Sequence, residues 1–190
     1  MKRISAILKA LAHRKGEKVA LGDVIRQGGS RAHGLGLLLF ALPETLPIPV
    51  PSISTVLAIP LILISGHLIL FGEGQGIPKK IRDRSISTSL VEKLEKYVGP
   101  VFKMLERVSH PRWEALAERE RLLGVACLIL SVILLLPIPF GNLLPALCLA
   151  AIAFGMIQRD GVVVALGLLG GLACMGAAVY AANMATSIFR

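Results

Sequence analysis

The tetrapeptide Leu-Pro-Ile-Pro occurs at residues 46–49 and, ninety residues later, at residues 136–139, each time inside a long apolar stretch. Proline removes a backbone N–H and clashes with the preceding helical turn, so we expect a helix break at Pro47 and Pro49 and another at Pro137 and Pro139. In hydrocarbon, broken backbone persists only where protein or trapped water satisfies the freed polar groups. The two copies therefore predict an internal repeat of two Pro-broken helical hairpins with something to bind.

The composition favours a membrane protein. Of the 190 residues, 54% are hydrophobic and 17% are charged, and the mean hydropathy is +0.71. The formal net charge is +9, and the basic residues concentrate in residues 1–33 and 78–121, on either side of the first apolar block. The positive-inside rule places both basic segments in the cytoplasm, close to membrane lipids. Because aromatic residues suited to base stacking are few, we expect no nucleic-acid partner.

Polarity divides the chain into five segments. A basic, interfacial N-terminal segment (1–34) includes a short amphipathic helix at 2–13; it precedes broken hairpin 1 (35–77), a polar insert (78–121), broken hairpin 2 (122–157) and an apolar segment (162–186). Apolar residues of the insert recur at helical spacing, which predicts a cytoplasmic amphipathic helix. The last segment is long enough for a C-terminal transmembrane helix. The expected fold is an all-α integral membrane protein.

The arms of the hairpins are short for complete membrane crossings. Residues 35–49 and 143–157 would each reach about 22 Å as helices, less than the roughly 30 Å of the hydrocarbon core. Each block is therefore either a pair of tight spans or a re-entrant hairpin, and we favour the re-entrant form. Because both hairpins begin on the cytoplasmic side, the repeat is expected to be parallel, with a cytoplasmic N-terminus.

Three residues beside the breaks are candidates for binding. Ser52 and Asn142 are expected to cap the helices that follow the breaks. Free N–H groups at two such helix starts would suit an anion such as phosphate, unless both are ordinary capped turns at the membrane surface. Glu44 would carry a proton or bind a cation at membrane depth. Alternatively, Glu44 lies at the level of the headgroups because the first block crosses twice.

Other candidates lie further from the breaks. His67 is either a proton carrier or, as we favour, a hydrogen-bonded packing residue. Arg159 and Asp160 would pair as a structural clamp or contact a lipid headgroup. Gly167 and Gly171 have the GxxxG spacing of closely packed membrane helices, which favours a homodimer.

The sequence contains no motif of a soluble enzyme. It has no Walker loop, HExxH or CxxC motif, so we expect no enzyme activity, cofactor or metal. The three cysteines lie in apolar segments without metal-type spacing and are expected to be small buried side chains.

Several stretches resemble the ExoD family of bacterial exopolysaccharide-synthesis membrane proteins, roughly from residue 20 to residue 180. They are residues 38–43 leading into the first tetrapeptide, Glu106-Arg107 with Pro111-Arg112, residues 136–146, and Arg159-Asp160-Gly161. The chain departs from the family at His67, where Gln is expected, and at residues 76–78. The resemblance implies an inner-membrane protein linked to exopolysaccharide production and to tolerance of alkaline conditions. By architectural analogy, the hairpins are also similar to those of DedA-type proteins, which are associated with lipid carriers.

Two functions follow as hypotheses. The first is a small transporter of protons or cations, or a handler of an anionic lipid carrier, that supports exopolysaccharide export. The alternative is a non-transporting accessory subunit that docks polysaccharide-synthesis enzymes through the helix at residues 85–109.

Overall fold

The apolar stretches form helices that end or begin beside the repeated tetrapeptides. A computed structural model describes residues 18–20, 32–45, 51–72, 85–135 and 142–188 of the chain. Its α-helices are α1 (Ala32–Ala41), α2 (Pro51–Phe71), α3 (Thr88–Val108), α4 (Glu114–Ala117), α5 (Glu120–Leu135), α6 (Leu143–Gln158) and α7 (Gly161–Ile188). A short 3-10 helix (Leu42–Thr45) continues α1. The expected all-α fold is confirmed, except for two three-residue strands.

The two short strands were not predicted from the sequence. Strand β1 (Lys18–Ala20) pairs antiparallel with strand β2 (Ser85–Ser87), and Val19 lies opposite Ile86. The ladder joins the basic N-terminal segment to the start of the insert. Both partners are too short to show the alternating pattern by which a strand is recognised.

Helices stop and restart around each tetrapeptide. The first arm of hairpin 1 ends at Thr45 and α2 begins at Pro51, where proline suits the first helical position. The first arm of hairpin 2 ends at Leu135, and α6 begins at Leu143. The four tetrapeptide prolines and the helix expected at residues 2–13 lie outside the described residues.

Each arm of one hairpin packs against an arm of the other hairpin. Helix α1 packs against α6, and α2 packs against α5. A methyl group on Gly34 of α1 would lie 2.9 Å from Ile157 Cγ1, and one on Gly124 of α5 would lie 2.9 Å from Ile69 Cγ1. Gly34 and Gly124 are ninety residues apart, the same spacing as the tetrapeptides. Each glycine lets the return arm of the other hairpin come close.

These contacts fix the direction of the helices. Because Gly34 lies beside Ile157 and Gly124 beside Ile69, α1 and α5 begin at the end of the bundle where α2 and α6 finish. This end is named the junction end, and the opposite end is named the break end. Both hairpins start at the junction end, as a parallel repeat requires. Helix α7 runs antiparallel to α6, towards the break end.

Helix α1 occupies the centre of the bundle. All ten of its residues are buried, in keeping with a sequence that is apolar on every side of the helix. Burying one large apolar side chain away from water stabilises a fold by about 1.5–3 kcal/mol. Its largest fully buried side chains are Leu37, Leu38, Leu61, Ile64, Leu68, Leu123, Leu130, Leu134 and Phe154.

The two glycines of the GxxxG pattern, Gly167 and Gly171, contact other helices of the same chain. A methyl group on Gly167 would lie 3.0 Å from the Ile152 backbone nitrogen, and one on Gly171 would lie 3.4 Å from Leu130 Cδ1. Both glycines therefore serve the packing of α7 against its neighbours, and their spacing gives no argument for a homodimer.

Within the part of the chain that the structure describes, no helix combines the length and the apolar character needed to cross a membrane. The transmembrane character expected of residues 162–186 and of the hairpins stays a prediction.

Candidate functional site

Two histidines meet at the junction end of the bundle. His33 lies in the first turn of α1, and His67 lies near the end of α2. His33 Nε2 and His67 Nδ1 are 2.9 Å apart, and the ring centroids are 5.1 Å apart with the ring planes inclined by 15°. One nitrogen must donate and the other accept, so the two rings share a proton along this hydrogen bond.

One ring of the histidine pair is buried and the other is half-buried. His33 is fully buried, and the ring of Phe71 contacts the His67 ring with a centroid distance of 4.7 Å. His33 Nδ1 is buried and has no hydrogen-bond partner among the described residues. A buried ring nitrogen that lacks a partner costs free energy, which marks it as a candidate binding position. His67 is hydrogen-bonded, as favoured from the sequence, but its partner is a second imidazole that could not be predicted from the local pattern.

At the break end, Asn142 links the two arms of hairpin 2. Asn142 is 9% exposed, and its Nδ2 donates a hydrogen bond to the Leu134 carbonyl oxygen at 3.3 Å. Asn142 precedes α6, but its backbone is helical (φ −78°, ψ −18°) and its side chain makes no capping hydrogen bond. Asn142 therefore holds the expected N-cap position, but its side chain does not make the capping hydrogen bond. Its amide instead satisfies a carbonyl that the end of α5 leaves free.

The other two break-end candidates lie in hairpin 1. Ser52 is the second residue of α2, which begins at Pro51, so Ser52 does not hold the N-cap position. Its side chain lies outside the described residues. Glu44 is half-buried in the 3-10 helix, where the Thr45 hydroxyl donates to the Leu42 carbonyl oxygen at 2.7 Å.

The start of α6 is poorly suited to an anion. Pro145 in its first turn has no N–H, and the Ala146 N–H donates to the Asn142 carbonyl oxygen at 3.1 Å. Asn142 Oδ1 is buried without a partner among the described residues, and an amide oxygen can only accept. An anion would meet this acceptor unfavourably, whereas a cation or a protonated group would not.

A third polar cluster joins the insert to the turn between α6 and α7. Asp160 is 3% exposed. Its Oδ2 accepts a hydrogen bond from the Ser109 hydroxyl at 2.9 Å, and its Oδ1 accepts one from the Val162 N–H at 3.1 Å. The second bond caps the start of α7. The Gly161 N–H donates to the Arg112 carbonyl oxygen at 2.6 Å. Asp160 therefore holds the end of α3 against the hairpin.

Arg159 has a different role from its neighbour. It adopts a left-handed conformation (φ 55°) at the end of α6, where the Asp160 N–H donates to the Gly155 carbonyl oxygen at 2.9 Å. This is the arrangement by which many helices end, although glycine is the usual residue there. The Arg159 side chain lies 3.8 Å from a Glu118 carboxylate oxygen at an exposed position. Arg159 and Asp160 thus clamp two different segments and do not pair with each other.

Comparison with known proteins now identifies the family. The family model described as "Exopolysaccharide synthesis, ExoD" matches residues 4–180. The chain belongs to the ExoD family. Protein ExoD of Rhizobium meliloti (strain 1021) is 34% identical over 164 residues, which cover 83% of this chain and 68% of the relative. An uncharacterized protein of Synechocystis sp. is 27% identical over 158 residues, which cover 82% of this chain and 74% of the relative. No solved structure matches.

Two of the stretches that resemble the ExoD family meet at the junction end. The Arg159-Asp160-Gly161 turn contacts the segment that follows Glu106-Arg107, through Ser109 and Arg112. A methyl group on Gly161 would collide with the backbone oxygen of Trp113, so this close contact requires glycine. These residues of the ExoD-family chain therefore have a direct structural role.

The contacts that the candidate residues make could not be predicted from the sequence. His33 lies at the edge of the basic N-terminal segment, and an apolar run follows it directly. Ser109 lies 51 residues from Asp160, and no local pattern connects the two. Among the described residues of this ExoD-family chain, no group of three or more histidine, cysteine or acidic side chains is placed to hold a metal ion.

Proposed function

We propose that this ExoD-family protein supports exopolysaccharide synthesis at the bacterial inner membrane by moving protons, or another small cation, through its helical bundle. The observation that carries the proposal is the hydrogen-bonded pair of His33 and His67 inside the bundle. A neutral imidazole accepts a proton on one nitrogen and releases one from the other, so two hydrogen-bonded rings provide a short proton path.

The polar groups at the break end support a cation in preference to an anion. Glu44 supplies a carboxylate at the end of the arm that begins near His33, and Asn142 supplies a buried carbonyl acceptor. A carboxylate only accepts hydrogen bonds, and the Asn142 amide already donates one of its two N–H groups to Leu134, so the two groups offer mainly acceptors. The proposal therefore favours proton or cation movement over handling of an anionic lipid carrier.

Exposed apolar side chains support the membrane location. Aliphatic side chains that are more than 60% exposed occur on α2, α6 and α7, and exposing so many of them to water is unfavourable. Lipid would cover this surface without cost, and the strongly hydrophobic composition agrees with that. These side chains are Val56, Leu70, Leu144, Leu166, Leu169, Leu172 and Val179.

Proton flux into liposomes tests the proposal. The purified protein is reconstituted with a pH-sensitive dye inside the vesicles, and a potassium diffusion potential drives proton entry. We expect flux with the wild-type chain and a fall to the level of empty vesicles in His33→Gln and His67→Gln, because glutamine forms hydrogen bonds without relaying protons. Glu44→Gln should also reduce flux.

The exposed His110 provides the matched control, since His110→Gln removes an imidazole outside the bundle. Circular dichroism of each variant checks that the helices are retained. Equal flux in the wild type and in both His33 and His67 variants would contradict the proposal, as would wild-type vesicles that are no more permeable than empty ones.

A scaffold function is the second candidate, because α3 exposes apolar side chains. Met104 is 69% exposed and Leu105 is 40% exposed on this amphipathic helix. A polysaccharide-synthesis enzyme could dock there. Inert vesicles, together with a synthesis enzyme that co-purifies with the wild type and is lost from Met104→Glu, would favour this function over transport.

A further inference from the structure

Helices α6 and α7 approach each other closely along a seam of small residues. A methyl group on Gly155 would lie 2.9 Å from the Val164 backbone nitrogen, and one on Gly167 would lie 3.0 Å from the Ile152 backbone nitrogen. Because the helices are antiparallel and these pairs face each other, the register continues towards the break end with Cys148 of α6 opposite the turn of α7 that contains Gly170.

Two of the three cysteines lie on this seam. A methyl group on Gly170 would lie 2.7 Å from Cys148 Sγ, so the missing side chain leaves room for the thiol. Cys174 follows one turn later on the same face of α7, which places its side chain next to that of Cys148 along the seam. Side chains in a helix lean towards its N-terminus, so in antiparallel helices these two thiols lean towards each other.

We infer that Cys148 and Cys174 form an oxidisable pair, which closes to an intramolecular disulfide between α6 and α7. Both thiols are free and partly exposed, so a small oxidant such as a peroxide can reach them. Cys127, in contrast, is fully buried on α5 and has no place in the reaction.

The oxidation balances with a peroxide as the electron acceptor. One thiolate attacks a peroxide oxygen and the O–O bond breaks. The hydroxide that leaves takes up the proton lost by the thiol, so the products are a sulfenic acid and water. The second thiol attacks the sulfenic sulfur, the S–S bond forms, and a second water leaves. Two thiols and one hydrogen peroxide thus give one disulfide and two waters, with sulfur oxidised and oxygen reduced.

The surroundings of the pair favour a disulfide over a soft metal ion. Soft thiolates bind Cu(I), but two thiolates around a monovalent ion leave a net negative charge. The neighbouring residues Leu144, Leu147, Leu172 and Ala173 carry no positive charge to compensate it. A disulfide is neutral and suits this apolar face. It would tie α7 to α6 on the far side of the Arg159–Asp160 turn, so the helices could no longer separate.

Counting free thiols tests the inference. The full chain in detergent is treated with hydrogen peroxide, denatured, labelled with a maleimide and weighed by mass spectrometry. The wild type has three cysteines, so we expect the number of labels to fall from three to one. The matched control Cys127→Ser should fall from two labels to none, and dithiothreitol should restore both.

Single variants of the pair complete the test. Cys148→Ser and Cys174→Ser should each keep two labels after peroxide, because the partner thiol is missing. Circular dichroism confirms that the variants keep their helices. Two labels on peroxide-treated Cys127→Ser, or thiol loss through disulfide-linked dimers on a non-reducing gel, would overturn the inference. The number of free thiols does not depend on proton flux, so this experiment tests the inference independently of the proposed function.

Discussion

Replacing Asp160 by alanine should loosen the joint between the insert and the second hairpin. The carboxylate caps α7 through the Val162 N–H and accepts the Ser109 hydroxyl. Loss of a helix cap costs about 1 kcal/mol. Loss of a hydrogen bond to a charged acceptor costs about 1.5–3 kcal/mol. We therefore expect Asp160→Ala to lower the free energy of unfolding by about 2–4 kcal/mol, with little compensation because Asp160 is 3% exposed.

A double-mutant cycle isolates the contact with Ser109. If the hydrogen bond is formed, Ser109→Ala should cost about 1.5–3 kcal/mol in the wild-type chain and almost nothing in the Asp160→Ala background. Asp160→Asn is the matched control. Asparagine caps a helix as well as aspartate, and only the charge of the acceptor is lost, so we expect a cost of about 1 kcal/mol or less.

Denaturant unfolding in detergent provides the assay, with two optical probes. Far-ultraviolet circular dichroism follows the helices, and the fluorescence of Trp113, the one tryptophan of the chain, follows the joint itself. A loss below about 0.5 kcal/mol in Asp160→Ala, the range of an ordinary surface substitution, would refute the role assigned to this carboxylate. Additive effects of the two substitutions would refute the hydrogen bond between Asp160 and Ser109.

Three further predictions use the same unfolding assay. Gly124→Ala should destabilise by about 1–3 kcal/mol because its methyl group would crowd α2, whereas Gly66→Ala, with nothing within 4 Å, should stabilise by up to about 1 kcal/mol. A stable Gly124→Ala would show that the arms need not approach closely. Arg159→Gly should be more stable than Arg159→Ala by about 1 kcal/mol, because both lose the Glu118 contact and only glycine relieves the left-handed strain; equal stabilities would contradict this. Asn142→Ala should cost about 1–2 kcal/mol by freeing the carbonyl at the end of α5, and an unchanged midpoint would show that this bond contributes nothing.

Local patterns predicted the helical framework well. The amphipathic rhythm of the insert placed a helix at residues 85–109, and the structure has α3 at Thr88–Val108. Closely spaced prolines marked the interruptions between helical arms. Proline alone is a weaker signal, since Pro60 lies inside α2 and Pro100 lies inside α3. Where neighbouring helices support a kinked or unbonded turn, a single proline does not end the helix.

Long-range pairing could not be predicted in the same way. His33 and His67 are 34 residues apart, and they meet only because α1 and α2 are antiparallel and in one particular register. The proposed pair of Cys148 and Cys174 likewise depends on the register of α7 against α6. Glycine contacts between these two helices set that register. Asn142 holds the predicted N-cap position, but local sequence does not show whether its side chain bonds to that helix or to the preceding one. In the structure it bonds to the preceding helix.

Because the arms of each hairpin pack against the arms of the other, we expect that neither hairpin folds alone. A chain cut between α2 and α3 would yield two pieces, each with a bare apolar face shaped for the other. Co-expressed, such halves should find one another and rebuild the bundle. Expressed alone, each half could cover its apolar face only with a second copy of itself. Such a dimer is the arrangement from which duplication of an ancestral hairpin would start.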